Sequence, residues 1–427
     1  MHFLYNLLLY LTMPFALLRL LWRSRRQPAY RERWRERLGY YTEPDLRAGV
    51  WIHAVSVGEV QAAQPVIRHL LELYPGEGVM VTSTTPTGSS RLRALFADRV
   101  RHVYTPYDLR SAVGRFLDAV APRLVLVMET EVWPNLLAEC QRRGIPVVLA
   151  NARLSARSAK GYARVGGFAR ETFARFTLIA AQAQPDAQRF IDLGAPPDRV
   201  KITGSIKFDL HLPASLREQA DVLRRFWSCG RPVWLAASTH EGEEELLLGV
   251  QRQVRARLPH ALLVLVPRHP DRFEAVAALV QRAGLNLARR SARAPCDGDT
   301  AVYLGDTMGE LQTFLAAGDV AFIGGSLVKV GGHNLLEAAV VGVPAVIGPY
   351  SYNFATITRL MVEEGAAVQV QDAAGLTRQL CAWLGDAAER ARVGENGLRV
   401  MVENRGALPR LLALLDGLLG ESGPGPG

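Results

Sequence analysis

From about residue 50 onward, short unbroken apolar runs alternate with longer stretches whose apolar positions recur every three or four residues. The runs VWIHAV, VMVTST, LVLVME, PVVLAN and TLIAAQ lack polar alternation. They predict strands buried on both faces, as in parallel sheets. RVKITGSIKFDLHLPASL predicts a last strand and then a linker containing Pro213. A second series follows: PVWLAAS, ALLVLVP, AVYLG, VAFIGG and VPAVIG. Each series is long enough for a doubly wound α/β domain with right-handed helical crossovers. The expectation is therefore two Rossmann-like domains, 49–211 and 212–420, facing a cleft lined by the C-terminal ends of their strands. The tail GESGPGPG is expected to fray.

Residues 1–48 have a different pattern. FLYNLLLYLTMPFALLRLLW is apolar over about 20 residues, the length that crosses a bilayer, although Asn6, Thr12, Pro14 and Arg19 interrupt it. No small-residue cleavage site follows, which argues against a removable signal peptide. Next comes RSRRQPAYRERWRERLGYY, dense in arginine, with Trp34 and tyrosines. Positive flanks stay cytoplasmic and aromatics favour the interface. A membrane-associated helix is expected, with the body on the cytoplasmic face. Both a spanning and an interfacial placement fit the sequence, and a buried amphipathic helix is the alternative.

A length of 427 residues agrees with more than one domain. The net charge of +9 is carried mostly by arginine, and lysine is scarce. Arginine's planar fork suits phosphate and carboxylate, so the charge points to an acidic substrate, an anionic membrane or nucleic acid, or to nothing beyond a solvated surface. Cys140, Cys229, Cys296 and Cys381 are scattered without metal or redox spacing, as in a reduced protein with buried thiols.

Candidate chemistry gathers where predicted strands end. In HAVSVGEVQAAQ, Glu59 follows Gly58 where a helix begins. An acid there ordinarily compensates the helix dipole. Its place just after a strand and a Ser-x-Gly turn also lets it reach a bound hydroxyl. VTSTTPTGSSRL opens a helix with Thr84, Thr85 and Thr87, which suits either capping or an anion. METEVWPN puts Glu129 and Glu131 two apart, on one face of an extended chain, and two carboxylates at a strand end are costly unless used. Lys207 stands at the interdomain linker.

In the second half, Arg268, His269 and Arg272 follow a strand, and Gly309 and Glu310 open a helix. KVGGHNLLEAAVVGVPAVIGP places a Gly-Gly pair before His333 and Asn334, predicting a helix start there with free N–H groups for an anion. Several classes fall away. STHEGEEE lacks the second histidine of a zinc protease, no Gly-x-Gly-x-x-Gly follows a strand, and no Walker A sequence occurs. Two other classes remain compatible: a GT-B transferase using a UDP-sugar, and a non-catalytic membrane-attached nucleotide-binding protein.

SVGEV, TSTTPTG, METEVWPN, NARLS, GSIKFD, ASTHEGEE, PRHPDRF, GDTMGEL and GGHNLLEAA occur in that order. Together they resemble the 3-deoxy-D-manno-octulosonic acid (Kdo) transferases of lipopolysaccharide synthesis over nearly the whole chain. The resemblance implies a GT-B fold, CMP-Kdo as donor, the lipid A precursor as acceptor at the inner membrane, inversion, and neither a cofactor, a metal nor a nucleic-acid partner. It implies Glu59 as proton acceptor and Glu129 and Lys207 as stabilising groups. It also implies CMP contacts from Arg268, His269, Met308, Gly309, Glu310, Asn334, Leu335, Leu336 and Glu337. The family's usual GNLKFD reads GSIKFD here, which leaves Lys207 in place.

Overall fold

A computed structural model describes residues 1–25, 28–42, 45–76, 78–227, 230–293 and 296–421. Cys229 and the residues after Glu421 lie outside these ranges. The chain divides into two compact units.

The first unit holds seven parallel strands: β1 (Val50–His53), β2 (Val79–Ser83), β3 (Arg101–Tyr104), β4 (Leu124–Met128), β5 (Val147–Ala152), β6 (Leu178–Ala181) and β7 (Val200–Ile202). Their order is β3-β2-β1-β4-β5-β6-β7. Period-2 alternation sends Leu124 and Leu126 to one core layer and Val125 and Val127 to the other. Both faces are therefore covered, as the unbroken apolar runs require.

The second unit holds β8 (Val233–Thr239), β9 (Leu262–Pro267), β10 (Leu287–Arg289), β11 (Val302–Leu304), β12 (Val320–Ile323), β13 (Ala345–Ile347) and β14 (Ala367–Gln369). The order is β10-β11-β9-β8-β12-β13-β14, again all parallel. The strands β3, β10 and β14 were not expected from the sequence. All three are edge strands or their short polar equivalents, RHVY, LAR and AVQ. An edge strand buries less and does not need an unbroken apolar run.

The unit boundary differs from the expected 212–420. The second unit is Leu210–Asn404, and residues from Arg405 onward return to the first. The cause is an apolar stripe on the helix Ala407–Glu421. Leu408, Leu411, Leu415 and Leu419 pack in one core cluster with Val60, Val66 and Leu70 of the helix Val57–Leu73. The Asp209 carboxylate accepts the amides of Gly406 (2.7 Å) and Leu408 (2.6 Å), capping the returning helix. Residues 1–48 belong with the first unit, and the helix His2–Ser24 is present as expected.

Candidate functional site

In a doubly wound sheet, ligands bind beyond the strand ends where the strand order reverses. In the first unit that point lies between β1 and β4. Glu59 follows β1 and Glu129 follows β4.

Ser56 caps the helix Val57–Leu73 by accepting the Glu59 amide at 3.3 Å. This puts Glu59 in the first helical turn. Its carboxylate turns back, taking the Val55 amide at 2.5 Å and the Ser56 hydroxyl at 3.3 Å. The result is a variant of the capping box, with the acid bonded one residue earlier than usual. Burial, helped by the negative charges of Glu129 and Glu131, pushes Glu59 up to about 7, against the pull of the Val55 and Ser56 hydrogen bonds.

Glu129 is 5% exposed and adopts the left-handed conformation, φ 59°. Such a backbone costs about 1 kcal/mol in a non-glycine residue, and strain of this kind concentrates at functional sites. The turn invalidates the expected sharing of a face with Glu131, because the chain is no longer extended there. The two carboxylates take different partners. Glu129 is clamped between Lys207 Nζ, 2.7 Å from Oε1, and Arg153 Nη2, 3.1 Å from Oε2. Glu131 accepts the indole N–H of Trp133 at 2.8 Å, and burial raises its pKa. Two cations around Glu129 leave that cluster with net positive charge.

Asn151 holds the clamp from behind. It too is left-handed, φ 51°, and its Oδ1 accepts the Ile206 amide at 3.1 Å. That bond fixes the short 3-10 turn Ile206–Phe208 that carries Lys207. Asn151 and Arg153 were not singled out from the sequence, although both lie in NARLS. Asparagine tolerates positive φ better than most residues, which was the available signal.

In the second unit the switch point lies between β8 and β12. The helix Glu243–Arg257 starts beside it. The buried Glu243 carboxylate accepts the amides of Gly325 (2.7 Å), Ser326 (3.1 Å) and Leu327 (3.0 Å), so the loop after β12 is held by protein and its N–H groups are spent. The Gly-Gly pair is spent as well. With φ of 110° and 74°, Gly331 and Gly332 both donate to the Gly325 carbonyl, at 3.0 and 2.8 Å. The helix begins later than expected and is one turn long, Leu336–Ala339, with Asn334 Oδ1 accepting the Leu336 amide at 3.2 Å. Among the described residues, the amides of His333, Asn334 and Leu335 have no acceptor. Leu335 is fully buried, so the amides of His333 and Asn334, and not the glycines, are the ones left to meet an anion.

Around them stand Arg268, which follows β9, and three histidines. The His333 and His240 rings stack at 6° with their Nε2 atoms 2.8 Å apart, and His269 meets His240 edge-on at 5.5 Å. An Nε2–Nε2 hydrogen bond needs one donor and one acceptor, so both rings cannot be cationic. Burial first, then the neighbouring positive charges, lowers His240 to about 4 and His333 to about 3. Arg272 is tied to Glu244 at 3.0 Å, while Arg268 makes no ion pair among the described residues. Glu337 lies near Arg268, whose charge lowers its pKa against the larger rise from burial. Because the helix starts at Leu336, His333 lies outside it while Glu337 stands in its first turn.

Met308 is 64% exposed, and Gly309 has φ 85°. Glu310 stands at the N-cap position of the helix Leu311–Ala317 without a side-chain capping bond and is gripped by Arg290, with Nη2 2.6 Å from Oε1 and Nε 3.0 Å from Oε2. That hydrogen-bonded guanidinium lowers its pKa. Leu335 and Leu336 are fully buried and the Leu336 amide is taken by Asn334 Oδ1, so neither side chain is presented to a ligand. Cys140 and Cys296 are buried, and Cys140 and Cys381 are free thiols. No group of three or more His, Cys, Asp or Glu side chains among the described residues is placed to hold a metal.

The family profile described as "3-Deoxy-D-manno-octulosonic-acid transferase (kdotransferase)" matches residues 32–210. The chain is similar to the 3-deoxy-D-manno-octulosonic acid transferase of Haemophilus influenzae, 44% identical over 97% of both chains. It is also similar to that of Bordetella pertussis, 40% identical over 90% of both. Among solved structures, a putative UDP-N-acetylglucosamine 2-epimerase from Listeria monocytogenes aligns with a TM-score of 0.54 at 14% identity, covering 90% of this chain and 99% of that one. A glycosyltransferase from Rickettsia africae aligns with a TM-score of 0.54 at 11% identity, covering 87% and 99%. At such identities these two likenesses carry the fold alone.

Proposed function

The chain belongs to the Kdo transferase family, with a GT-B fold, and from that premise we propose that it transfers Kdo from CMP-Kdo to the lipid A precursor at the cytoplasmic face of the inner membrane. The transfer inverts the donor's anomeric configuration and needs no divalent metal. Membership makes the protein a glycosyltransferase, which sets aside the non-catalytic reading, and the Kdo transferase relatives favour CMP-Kdo over a UDP-sugar. Donor, acceptor, membrane and stereochemistry are inferred.

The observation that carries the proposal is Glu59, a half-buried carboxylate at a strand-order switch point with a pKa near 7. An acceptor hydroxyl is a poor nucleophile. As its oxygen attacks the anomeric carbon, Glu59 takes the proton, and a base matched to neutral pH is worth about 10²–10⁴-fold. The bond from that carbon to the CMP phosphate breaks, and its electron pair leaves with the phosphate. Attack on the opposite face inverts the centre.

Glu129 is clamped between Lys207 and Arg153, so its role is to hold and orient those two cations. In the second unit, the free amides of His333 and Asn334 and the side chains of Arg268 and His269 take the phosphate. The neutral His240–His333 pair donates one hydrogen bond without adding charge. Preorganised donors of this kind supply what a metal otherwise brings. Glu337 is assigned to the ribose hydroxyls, and the backbone of residues 308–310 to the nucleotide.

Incubating the purified protein with CMP-Kdo and lipid A precursor, with and without EDTA, tests the reading by mass spectrometry. A mass gain of Kdo in both samples is expected. No gain with CMP-Kdo refutes the donor and acceptor assignment, and loss of the gain in EDTA refutes metal independence.

A further inference from the structure

The helix His2–Ser24 is long and apolar enough to cross a bilayer by length and composition. Its contacts describe another posture. Tyr5 donates to Asp108 Oδ2 at 2.8 Å, Asn6 Oδ1 accepts from Asn135 at 2.7 Å, and the hydroxyls of Tyr10 and Ser111 lie 3.2 Å apart. At the other end, Ser24 accepts from Arg31 at 2.8 Å, and Leu20 and Ser24 are buried. The first ten residues of the helix therefore lie on the body of the first unit, and its last turn packs on the segment that follows it.

A helix of this length measures about 34 Å. Crossing the hydrocarbon, which is about 30 Å thick, would put its two ends on opposite sides. Asp108 and Asn135 would then have to sit in lipid. Asp108 cannot, because its carboxylate also caps the helix Pro134–Arg142 through the amides of Asn135 (3.0 Å) and Leu136 (2.8 Å).

The face turned away from the body is apolar. Leu4, Leu8, Leu11, Phe15, Leu18 and Trp22 follow one another at helical spacing, and each is at least 58% exposed. No acid occurs before Glu32, and Arg19, Arg23, Arg25, Arg31 and Arg35 are exposed beside this face. Trp22 and Trp34 are exposed there as well. Apolar residues flanked by arginine and tryptophan match an anionic lipid surface, with tryptophan at headgroup level.

We propose that this helix is a monotopic foot: it lies in the plane of an anionic membrane, its outer face sunk among the acyl chains and its inner face clasped to the first unit. The proposal rests on the reading above only for which membrane is meant.

The full-length protein, carrying a protease-cleavable epitope before Met1, is compared in spheroplasts and in inverted inner-membrane vesicles. In-plane seating exposes the epitope only in inverted vesicles. Cleavage in intact spheroplasts shows that the helix spans and overturns the proposal. In parallel, Leu11→Glu/Phe15→Glu is floated with vesicles of equal parts phosphatidylglycerol and phosphatidylethanolamine. Binding should weaken by at least about tenfold, since carboxylates on a lipid-buried face are costly. Binding equal to the unaltered protein also overturns it. Kdo transfer to detergent-dispersed acceptor is read on the same samples. Its absence in the unaltered protein counts against the transfer reaction and leaves the topology result standing.

Discussion

Replacing Glu59 by glutamine should remove activity and yet strengthen the folded protein above neutral pH. An isolated glutamate ionises near 4.5, and in the fold Glu59 does so at about 7. The folded state therefore holds a proton that the unfolded chain has already released. Glu59 contributes fully to stability below pH 4.5, and the contribution is lost as pH rises to 7. The full shift corresponds to roughly 3 kcal/mol, and the residue's partial exposure trims this to about 2 kcal/mol. Glutamine carries no charge, and its Oε1 can still accept the Val55 amide. The variant should thus unfold at higher urea than the parent at pH 8, by about 1–2 kcal/mol, and match it near pH 4.5. Transfer should fall about 10²–10⁴-fold, and the parent's kcat/KM should rise with pH through an apparent pKa near 7 that the variant lacks. Paired urea titrations at the two pH values, with initial rates from pH 5 to 9, supply the measurements. A variant no more stable than the parent at pH 8, or one keeping a third of its rate, refutes the reasoning.

Lys207→Ala leaves the buried Glu129 with Arg153 alone and should cost about 3 kcal/mol, while Lys207→Ala/Glu129→Ala should cost less than the sum of its parts. A double-mutant cycle by urea unfolding checks this, and strict additivity would refute the clamp. Glu337→Ala should weaken CMP binding by about ten- to a hundredfold and erase any preference for CMP over 2′,3′-dideoxy-CMP, because hydrogen bonds to a charged group contribute roughly 1.5–3 kcal/mol. Calorimetry with both nucleotides decides, and an unchanged preference removes Glu337 from the ribose.

The strands buried on both faces could be read from the sequence because β1, β4, β8 and β9 need unbroken apolar runs. RHVY, LAR and AVQ, which need none, escaped. Glu59 and Glu129, beside the first unit's switch point, stood out as polar side chains at the ends of apolar strands, whereas Glu243 beside the second did not. Backbone-dependent features were not. Spacing alone could not reveal that Glu129 turns left-handed, nor that the Gly331 and Gly332 amides are consumed by the Gly325 carbonyl. The stripe Leu408, Leu411, Leu415 and Leu419 declared an amphipathic helix without saying which sheet it covers. That choice rests on Asp209, some two hundred residues away in sequence.

The return of the final helix also sets the order in which the protein can be completed during synthesis. The body of the first unit emerges from the ribosome early, but its last layer is encoded after the whole of Leu210–Asn404. At about 5–20 residues per second, the surface that receives the leucine stripe waits roughly 10–40 seconds for its cover. Only at the end of that interval does the second unit have all of its own residues, and the first then still lacks its final helix. A nascent chain therefore carries uncovered Val60, Val66 and Leu70 while its N-terminal helix is already available to lipid. A chain terminated between Gln369 and Arg405 would leave the same surface bare, a target for chaperones and proteases, even with every residue of both sheets present.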